Sequence, residues 1–577
     1  MKKNLMIATA FICCAMLSFA ITGYAQADKT GNTGNDISDS VPTVEVSETV
    51  TTAPKSAVKH TNIRDTESGR SDTIRSKKPS EAGSSSGSSA GTSGSQVKSG
   101  AKSDSAGTAD QSSQVQVYPE KYEMNLTLDT ANKKLSGTVT VRLRNNTDSE
   151  LSMFCLRNYA ASVLSQNGGK SSDAVITGVE TLSGTKLQIN KGKDPSVLYV
   201  LLGDNGIDES ESDSFVISFS EKIPKLDDRY GYHVGSDGAL QFQLTYCFPC
   251  VATYQDGKWD ENPYFYAGET ACSPCTDYTA VIKVPKDYTV VSTGTSVRNG
   301  GSVRINAKNV RDMAIVACND MRCDSTELDG KKINLYYLTD NSNSSSFRKY
   351  VMAAASDSMT TFSKEIGEYA YDELDVVESY LPGGMEYPGL VMINTNADNK
   401  KASYSDLCTL TAHEIGHEWF YAAVGNDQYE EAWLDEGLAT FLEKGVYASS
   451  GDSTLAAAVK LDKSNKVTPV KTWNSEDSYD KYTESTLKSY KDSYYINLPY
   501  DSFGSDDSYT EHVYDGGCIF VSALREEMGS VAFDNALKDY YKTYKYGIAT
   551  TDDFVSMIRK YDPTSKTQDT IDIFIKQ

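Results

Sequence analysis

Two histidines spaced for one metal ion stand in the C-terminal half of this 577-residue chain, in the stretch TAHEIGHEW from Thr411 to Trp419. His413 and His417 are four residues apart, so on a helix both imidazoles project from one face and can reach a single ion. Glu414 sits one position past the first histidine and can lean over that ion without coordinating it, which suits a general base. A catalytic zinc takes three ligands from the protein and leaves a fourth position open. Glu436 supplies the third: residues 418–435, eighteen of them, separate it from His417. It lies in a second apolar-periodic stretch (Trp433, Leu434, Gly437, Leu438, Phe441) that reads as a helix packing back on the first. A pair of satisfied core histidines, the ordinary alternative, does not account for Glu436.

The elements that must position these groups follow from periodicity. Tyr122, Met124, Leu126 and Leu128, then Val139, Val141 and Leu143, alternate around Asp129–Lys134 as strand, turn and strand with one buried face. Runs of this kind continue, so residues 116–328 read as an all-β, sandwich-like domain. A strand over Ile333–Leu338 is followed by a helical pattern from Ser345 (Phe347, Val351, Ala354, Met359, Phe362, Ile366), and residues 329–577 read as a mixed α+β domain. Tyr371–Glu378 reads as a strand that delivers the chain into Pro382-Gly383-Gly384-Met385-Glu386-Tyr387. There the glycines allow close backbone approach to a ligand, and a carboxylate on a strand edge can point into a cleft. A glycine-rich bend with an incidental acid fits the same residues. The sequence after residue 510 carries a turn at Gly516-Gly517, then a helix (Val521, Leu524, Met528), and ends in two more helices with Thr550 or Thr551 as a cap. Lys471–Thr510 is rich in Tyr, Ser and Asp, and no chemistry is assigned to it.

Composition narrows the setting. Lys2 and Lys3, an apolar run from Leu5 to Ile21, and Gly23 and Ala25 before Gln26 describe a secretory signal peptide over residues 1–25, with a retained membrane anchor as the competing reading. Residues 26–115 are Ser, Gly and Thr-rich with almost no aromatics, a disordered spacer. The formal charge of −23, from 56 Lys and Arg against 79 Asp and Glu, argues against nucleic acid or an anionic membrane as partner. The expected location is outside the cytoplasm, with no membrane insertion beyond the leader. Cys247-Phe-Pro-Cys250 and Cys272-Ser-Pro-Cys275 have the spacing of a structural zinc knuckle, but an exported chain favours two disulfides. Cys408 and Cys518, on expected helices, suit buried, unreactive thiols.

HEIGHEW and WLDEGLATFLE together resemble the gluzincin zinc aminopeptidases, the family of aminopeptidase N, whose pattern is HExxH, eighteen residues, then Glu. Phe248-Pro249-Cys250 and Val284–Tyr288 resemble the β domain of that family, and the resemblance implies a thermolysin-like catalytic domain with one zinc ion held by His413, His417 and Glu436. Gly383-Gly384-Met385-Glu386-Tyr387 is similar to the family's Gly-x-Met-Glu-Asn, with Tyr387 in place of Asn. That likeness implies substrate contacts from Gly383, Gly384 and Met385, and a role for Glu386 in receiving the free amino group of a peptide. Tyr514-Asp515-Gly516-Gly517 is similar to Tyr-Glu-Lys-Gly, which implies a hydrogen bond from Tyr514 to an oxyanion. Asp515 and Gly516 depart from that pattern, and Tyr509 is a nearby competitor. His512 reads as a surface residue rather than a further ligand. The expected activity is a zinc aminopeptidase acting on peptides, in a short form without the family's C-terminal helical domain and so with an open cleft. A thermolysin-like endopeptidase shares every metal residue, and an extracellular binding or adhesion protein fits the long spacer and β domain.

Overall fold

Val115–Asp129 (β1) and Lys134–Asn145 (β2) bury every second side chain and pair antiparallel around Thr130–Lys133. They form the centre of a nine-stranded sheet. Thr276–Lys283 pairs parallel to β1 and continues through Ser302–Val310 to Thr295–Asn299; Ser212–Lys222 and Ala174–Thr181 extend the other side from β2. Two four-stranded sheets face it, one built on Met153–Arg157 and the other on Leu240–Leu244 (β3). Side chains of all three sheets share one core, in which Tyr122, Val139, Phe154, Phe215 and Phe242 are buried. The region is mostly β and sandwich-like, with one short helix at Tyr159–Gln166.

The structure, a computed structural model, describes residues 115–225, 229–235, 238–268, 272–339, 344–381, 383–394, 404–447, 460–461, 467–468, 494–562 and 567–577. The leader over 1–25, the spacer over 26–115 apart from its last residue, and residues 471–493 of the Tyr-rich stretch lie outside them.

The second sheet begins with Met321–Leu328 (β4) and Lys331–Leu338 (β5), an antiparallel hairpin. A boundary at residue 328 would cut this hairpin: β4 pairs along its length with β5, so its place is with the second sheet. Ser344–Glu365 (α1) is the crossover that lets β5 pair parallel with Glu373–Ser379 (β6). Gly384–Tyr387 (β7) and Leu390–Asn394 (β8) complete the order β4-β5-β6-β8-β7, and β7 lies at the edge. Helices Tyr404–Gly416 (α2) and Trp433–Tyr447 (α3) follow. Then come a π-helical turn at Glu511–Gly516 and helices Gly517–Met528 (α4), Ser530–Tyr544 (α5), Thr551–Tyr561 (α6) and Thr567–Phe574 (α7). Trp419, Trp433, Leu438, Phe520 and Phe554 bind them into a second core. Thr550 caps α6 with a reciprocal capping box to Asp553, as expected from its type, and α7 is an addition to the two helices read from the sequence.

Two expectations are corrected. Gly516 and Gly517 make no turn: the π-helical segment runs directly into α4, and Gly517 instead lets two helices touch, since a Cβ there would lie 2.8 Å from Gly437 Cα. The four spaced cysteines form neither disulfides nor a metal group; all nine described cysteines are free thiols. The two spaced pairs do not share a cluster, for Cys247 and Cys250 lie with the β core whereas Cys272 packs with Val115 and Ile548. Burial pushes the Cys250 thiol up to about 12, and Cys408 likewise, which makes both unreactive.

The β region also braces the second sheet. Gln241 on β3 donates to the Glu378 carbonyl (3.0 Å) and Gln243 donates to Ser379 Oγ, at the end of β6 where the chain turns towards Gly383. Arg311, 3% exposed, spreads its guanidinium over the carbonyls of Ser273, Ala422, Ala423 and Gly547.

Candidate metal centre

On α2 and the turn that follows it, His413 and His417 direct their Nε2 atoms at one point, 3.2 Å apart. Glu436, in the first turn of α3, brings Oε2 to 3.2 Å from His413 Nε2 and 3.3 Å from His417 Nε2. All three side chains are buried, and among the described residues they form the one group with metal-ligand geometry. Tetrahedral zinc with bonds of about 2.0–2.1 Å has donor–donor edges of roughly 3.3–3.4 Å, so the triangle already has the size of one face of the coordination shell. The charge pattern agrees. Burial opposes ionisation of Glu436, yet the two imidazoles hold its carboxyl well below the usual carboxylate range. Burial likewise opposes a charged His413, and Glu436 and Glu443 outweigh it. The donor set favours positive charge at its centre and so fits a zinc ion.

The rings are held from behind. His413 Nδ1 lies 3.1 Å from Glu443 Oε2, and His417 Nδ1 lies 3.2 Å from the Phe420 carbonyl, which keeps both Nε2 atoms facing inward. Sequence reading missed Glu443, although its place two helical turns beyond Glu436 on the same face could have revealed it. It also missed Glu418, directly after His417, whose fully buried carboxyl is pushed up to about 8 by burial, against bonds from Gly389 and Tyr369.

Glu414 lies against Gly384 of β7. A Cβ built on Gly384 would stand 2.1 Å from Glu414 Oε1, so the carboxylate occupies the space that a side chain at 384 would take. Along β7 the residues alternate. Met385 and Tyr387 bury their side chains in a core with Leu381, Leu390 and Met392, so Met385 can offer a ligand only its backbone. Glu386, paired with Val391 and 5% exposed, falls on the face opposite to theirs. Gly383, at φ +78°, turns the chain into the strand, and its carbonyl accepts from Asn394 N–H (3.0 Å).

Tyr514 lies in the π-helical turn, a feature common at functional sites, and its hydroxyl donates to Glu436 Oε1 at 2.5 Å. Burial first, then Glu436, Tyr509 and Glu386, pushes the Tyr514 hydroxyl well up, so it stays a proton donor. Tyr509 stands one ring behind, 6.2 Å from Tyr514 between ring centres, among Phe265, Tyr500 and Phe503. His512 is outside the ligand group; it stacks on Tyr494, with Nδ1 2.8 Å from the Ser508 carbonyl. The structure thus brings His413, His417, Glu436, Glu414 and Tyr514 to one place and sets Gly384 beside them.

The metal triangle, held between two helices beside an edge strand, has the donors and the size for a single zinc ion. Residues 350–577 match the Peptidase family M1 domain. Among curated proteins, Leucine aminopeptidase 2 of Candida albicans is 24% identical over 200 residues, covering 34% of this chain and 32% of that protein. Aminopeptidase M1-B of Oryza sativa subsp. japonica is 25% identical over 249 residues, covering 41% and 26%. The matched stretches span about a third or less of these relatives. The crystal structure of an M1 zinc metallopeptidase from Deinococcus radiodurans shares the fold, with a TM-score of 0.54, 15% identity, and coverage of 80% of this chain and 94% of that one. Residues 350–577 are thus similar to the M1 peptidase family, and the chain shares the fold of a solved M1 zinc metallopeptidase.

Proposed function

We propose that the protein is an exported aminopeptidase that hydrolyses the first peptide bond of peptides. The observation that carries this reading is the juxtaposition of a zinc-sized donor triangle with Glu414 on one side and the carboxylate-bearing edge strand β7 on the other. His413, His417 and Glu436 would hold the ion, which when bound polarises a carbonyl and acidifies water. Glu414, packed against Gly384, takes the proton of the attacking water and returns it to the leaving amine. Tyr514, a donor at neutral pH, turns from Glu436 to the oxyanion, a contribution of about 3–4 kcal/mol for a well-placed donor. An extended peptide adds to β7, which pairs with β8 alone among the described strands, and there the backbones of Gly383, Gly384 and Met385 can meet it. Glu386 receives the peptide's free ammonium in a charge-assisted hydrogen bond of roughly 1.5–3 kcal/mol and fixes which bond is cut. A variant of the Deinococcus enzyme has been solved with the tripeptide Tyr-Ser-Ala as substrate, a ligand of the kind this site would take.

The test compares free and N-acetylated peptides with and without chelator. One residue released per event from free peptides alone, with loss of activity on chelation, is expected. Equal cleavage of acetylated peptides to internal fragments would overturn the aminopeptidase reading in favour of an endopeptidase. Export is tested by N-terminal sequencing of the mature protein: a start at Gln26 is expected, and an intact Met1 contradicts a cleaved leader.

A further inference from the structure

Glu418 is a fully buried carboxyl that takes no part in the chemistry above, and its partners connect three elements of the site. It follows His417 directly. The Gly389 N–H donates to both of its oxygens, at 2.9 and 3.0 Å, and the Tyr369 hydroxyl lies 3.1 Å from Oε2. Gly389, at φ +70°, is the turn residue between β7 and β8, three positions beyond Glu386. Its carbonyl accepts from Asp375 N–H on β6 at 2.9 Å. Tyr369 leads from α1 into β6 and is wedged against Trp419, so its hydroxyl is as fixed as the helix end itself.

We propose that Glu418 is a positioning residue for the strand that carries Glu386: by bonding the turn at Gly389 it sets the register of the β7–β8 hairpin against the helix end that carries His417. The inference rests on the reading of Glu386 as the amine-binding group. A buried carboxyl is costly unless it is hydrogen-bonded, and here its bonds go to the backbone N–H at the turn of the hairpin. In an exopeptidase the distance from ammonium to reacting carbonyl decides which bond is cut, and a misplacement of about 1 Å can cost on the order of a hundredfold in rate. Glu386 and the metal triangle are on different elements, and the carboxyl of Glu418 joins those elements directly. An amide does the same work, accepting from Gly389 through its oxygen and donating to the Tyr369 oxygen through its nitrogen.

The experiment measures kcat and KM on free and N-acetylated peptides, with zinc content, for the full chain and for Glu418→Ala, Glu418→Gln, Tyr369→Phe and Glu386→Ala. Glu418→Ala should raise KM for free peptides at least about tenfold with a smaller change in kcat, narrow the preference over acetylated peptides, and leave about one zinc per chain. Glu418→Gln should restore values to within about threefold, and Tyr369→Phe, which removes one hydroxyl from an intact core, should show the same shift at reduced size. If Glu386→Ala abolishes the preference for free amines while Glu418→Ala and Tyr369→Phe leave KM unchanged, Glu418 has no positioning role and the aminopeptidase reading survives. If Glu386→Ala leaves the preference intact, the amine-site reading itself fails, and the inference with it. Loss of zinc from Glu418→Ala, or failure of the glutamine to rescue, also overturns the proposal, because Glu418 would then act through His417 or through its charge.

Discussion

Glu414 works in a space that Gly384 leaves for it, and the two positions lie on different elements. Replacing Gly384 by alanine puts a methyl group where the Glu414 carboxylate now sits, at 2.1 Å from Oε1. Gly384→Ala should therefore lower kcat by displacing the base, with zinc content unchanged in metal analysis; undiminished kcat would show that the carboxylate has room to move. Glu414→Gln should keep fold and zinc and lose turnover by roughly 10²–10⁴, since it removes a proton acceptor and no ligand. Activity assays beside metal analysis check both variants. A different carboxyl shapes stability. Glu221, fully buried in the nine-stranded sheet, has neither oxygen in hydrogen-bond geometry with a described residue, and burial pushes it well above the carboxylate range despite Tyr230 beside it. Unfolded, it ionises near pH 4.3; folded, it holds its proton. The native state thus binds more protons than the unfolded one over that interval, and stability falls as pH rises from about 4.3 towards the folded pKa. Glu221→Gln should match the parent in thermal midpoint near pH 4 and exceed it increasingly towards pH 8. A gap that does not grow with pH would mean that the carboxyl is compensated.

At the scale of elements, the site depends on how closely helices approach. α3 and α4 cross where Gly437, next to Glu436, meets Gly517, next to the π-helical turn that carries Tyr514. A side chain at either glycine forces the helices apart, and overpacking of this kind costs about 1–3 kcal/mol. The Tyr514–Glu436 hydrogen bond spans this crossing, so Gly517→Ala should lower kcat as well as the thermal midpoint. Tyr514→Phe should lower kcat alone. Equal kcat in Gly517→Ala and the parent would separate the crossing from catalysis. The N-terminus of α6 is tied to the same region, because its Thr551 N–H donates to both Glu431 oxygens at 3.2 Å, just before α3 begins.

For the whole molecule, Arg311 joins the β region to the loop after His417. Removing its side chain strands buried carbonyls, each costing about 1–3 kcal/mol. Arg311→Met should therefore lower the midpoint and split one thermal transition into two, which calorimetry can resolve. A single unshifted transition would show that the regions are coupled by other contacts.

How much of this was legible beforehand follows from the range of the forces. The grouping of His413, His417 and Glu436, the β1–β2 hairpin and the Thr550 cap were readable because helical and strand periodicity fix which neighbours share a face. For Glu386, Gly383 and Gly384 the residues alone left a ligand-facing strand edge and an incidental bend open, and Tyr514 was singled out through family likeness, since no local rule ties them to His413, His417 and Glu436. Other features had no sequence signal. The pairing of β4 with β5 across residue 328 was not legible, because alternation reveals a strand and not its partner. Gly516-Gly517 was read as a turn because glycine permits one, whereas the demand there is close approach to Gly437. The spaced cysteines looked paired until the fold placed Cys247 and Cys272 in separate clusters. Local periodicity in the sequence determined the donor set of His413, His417 and Glu436; only the tertiary structure decided that Gly384 makes room for Glu414 and that Glu418 bonds the turn of the hairpin, because those contacts join residues the chain keeps about thirty positions apart.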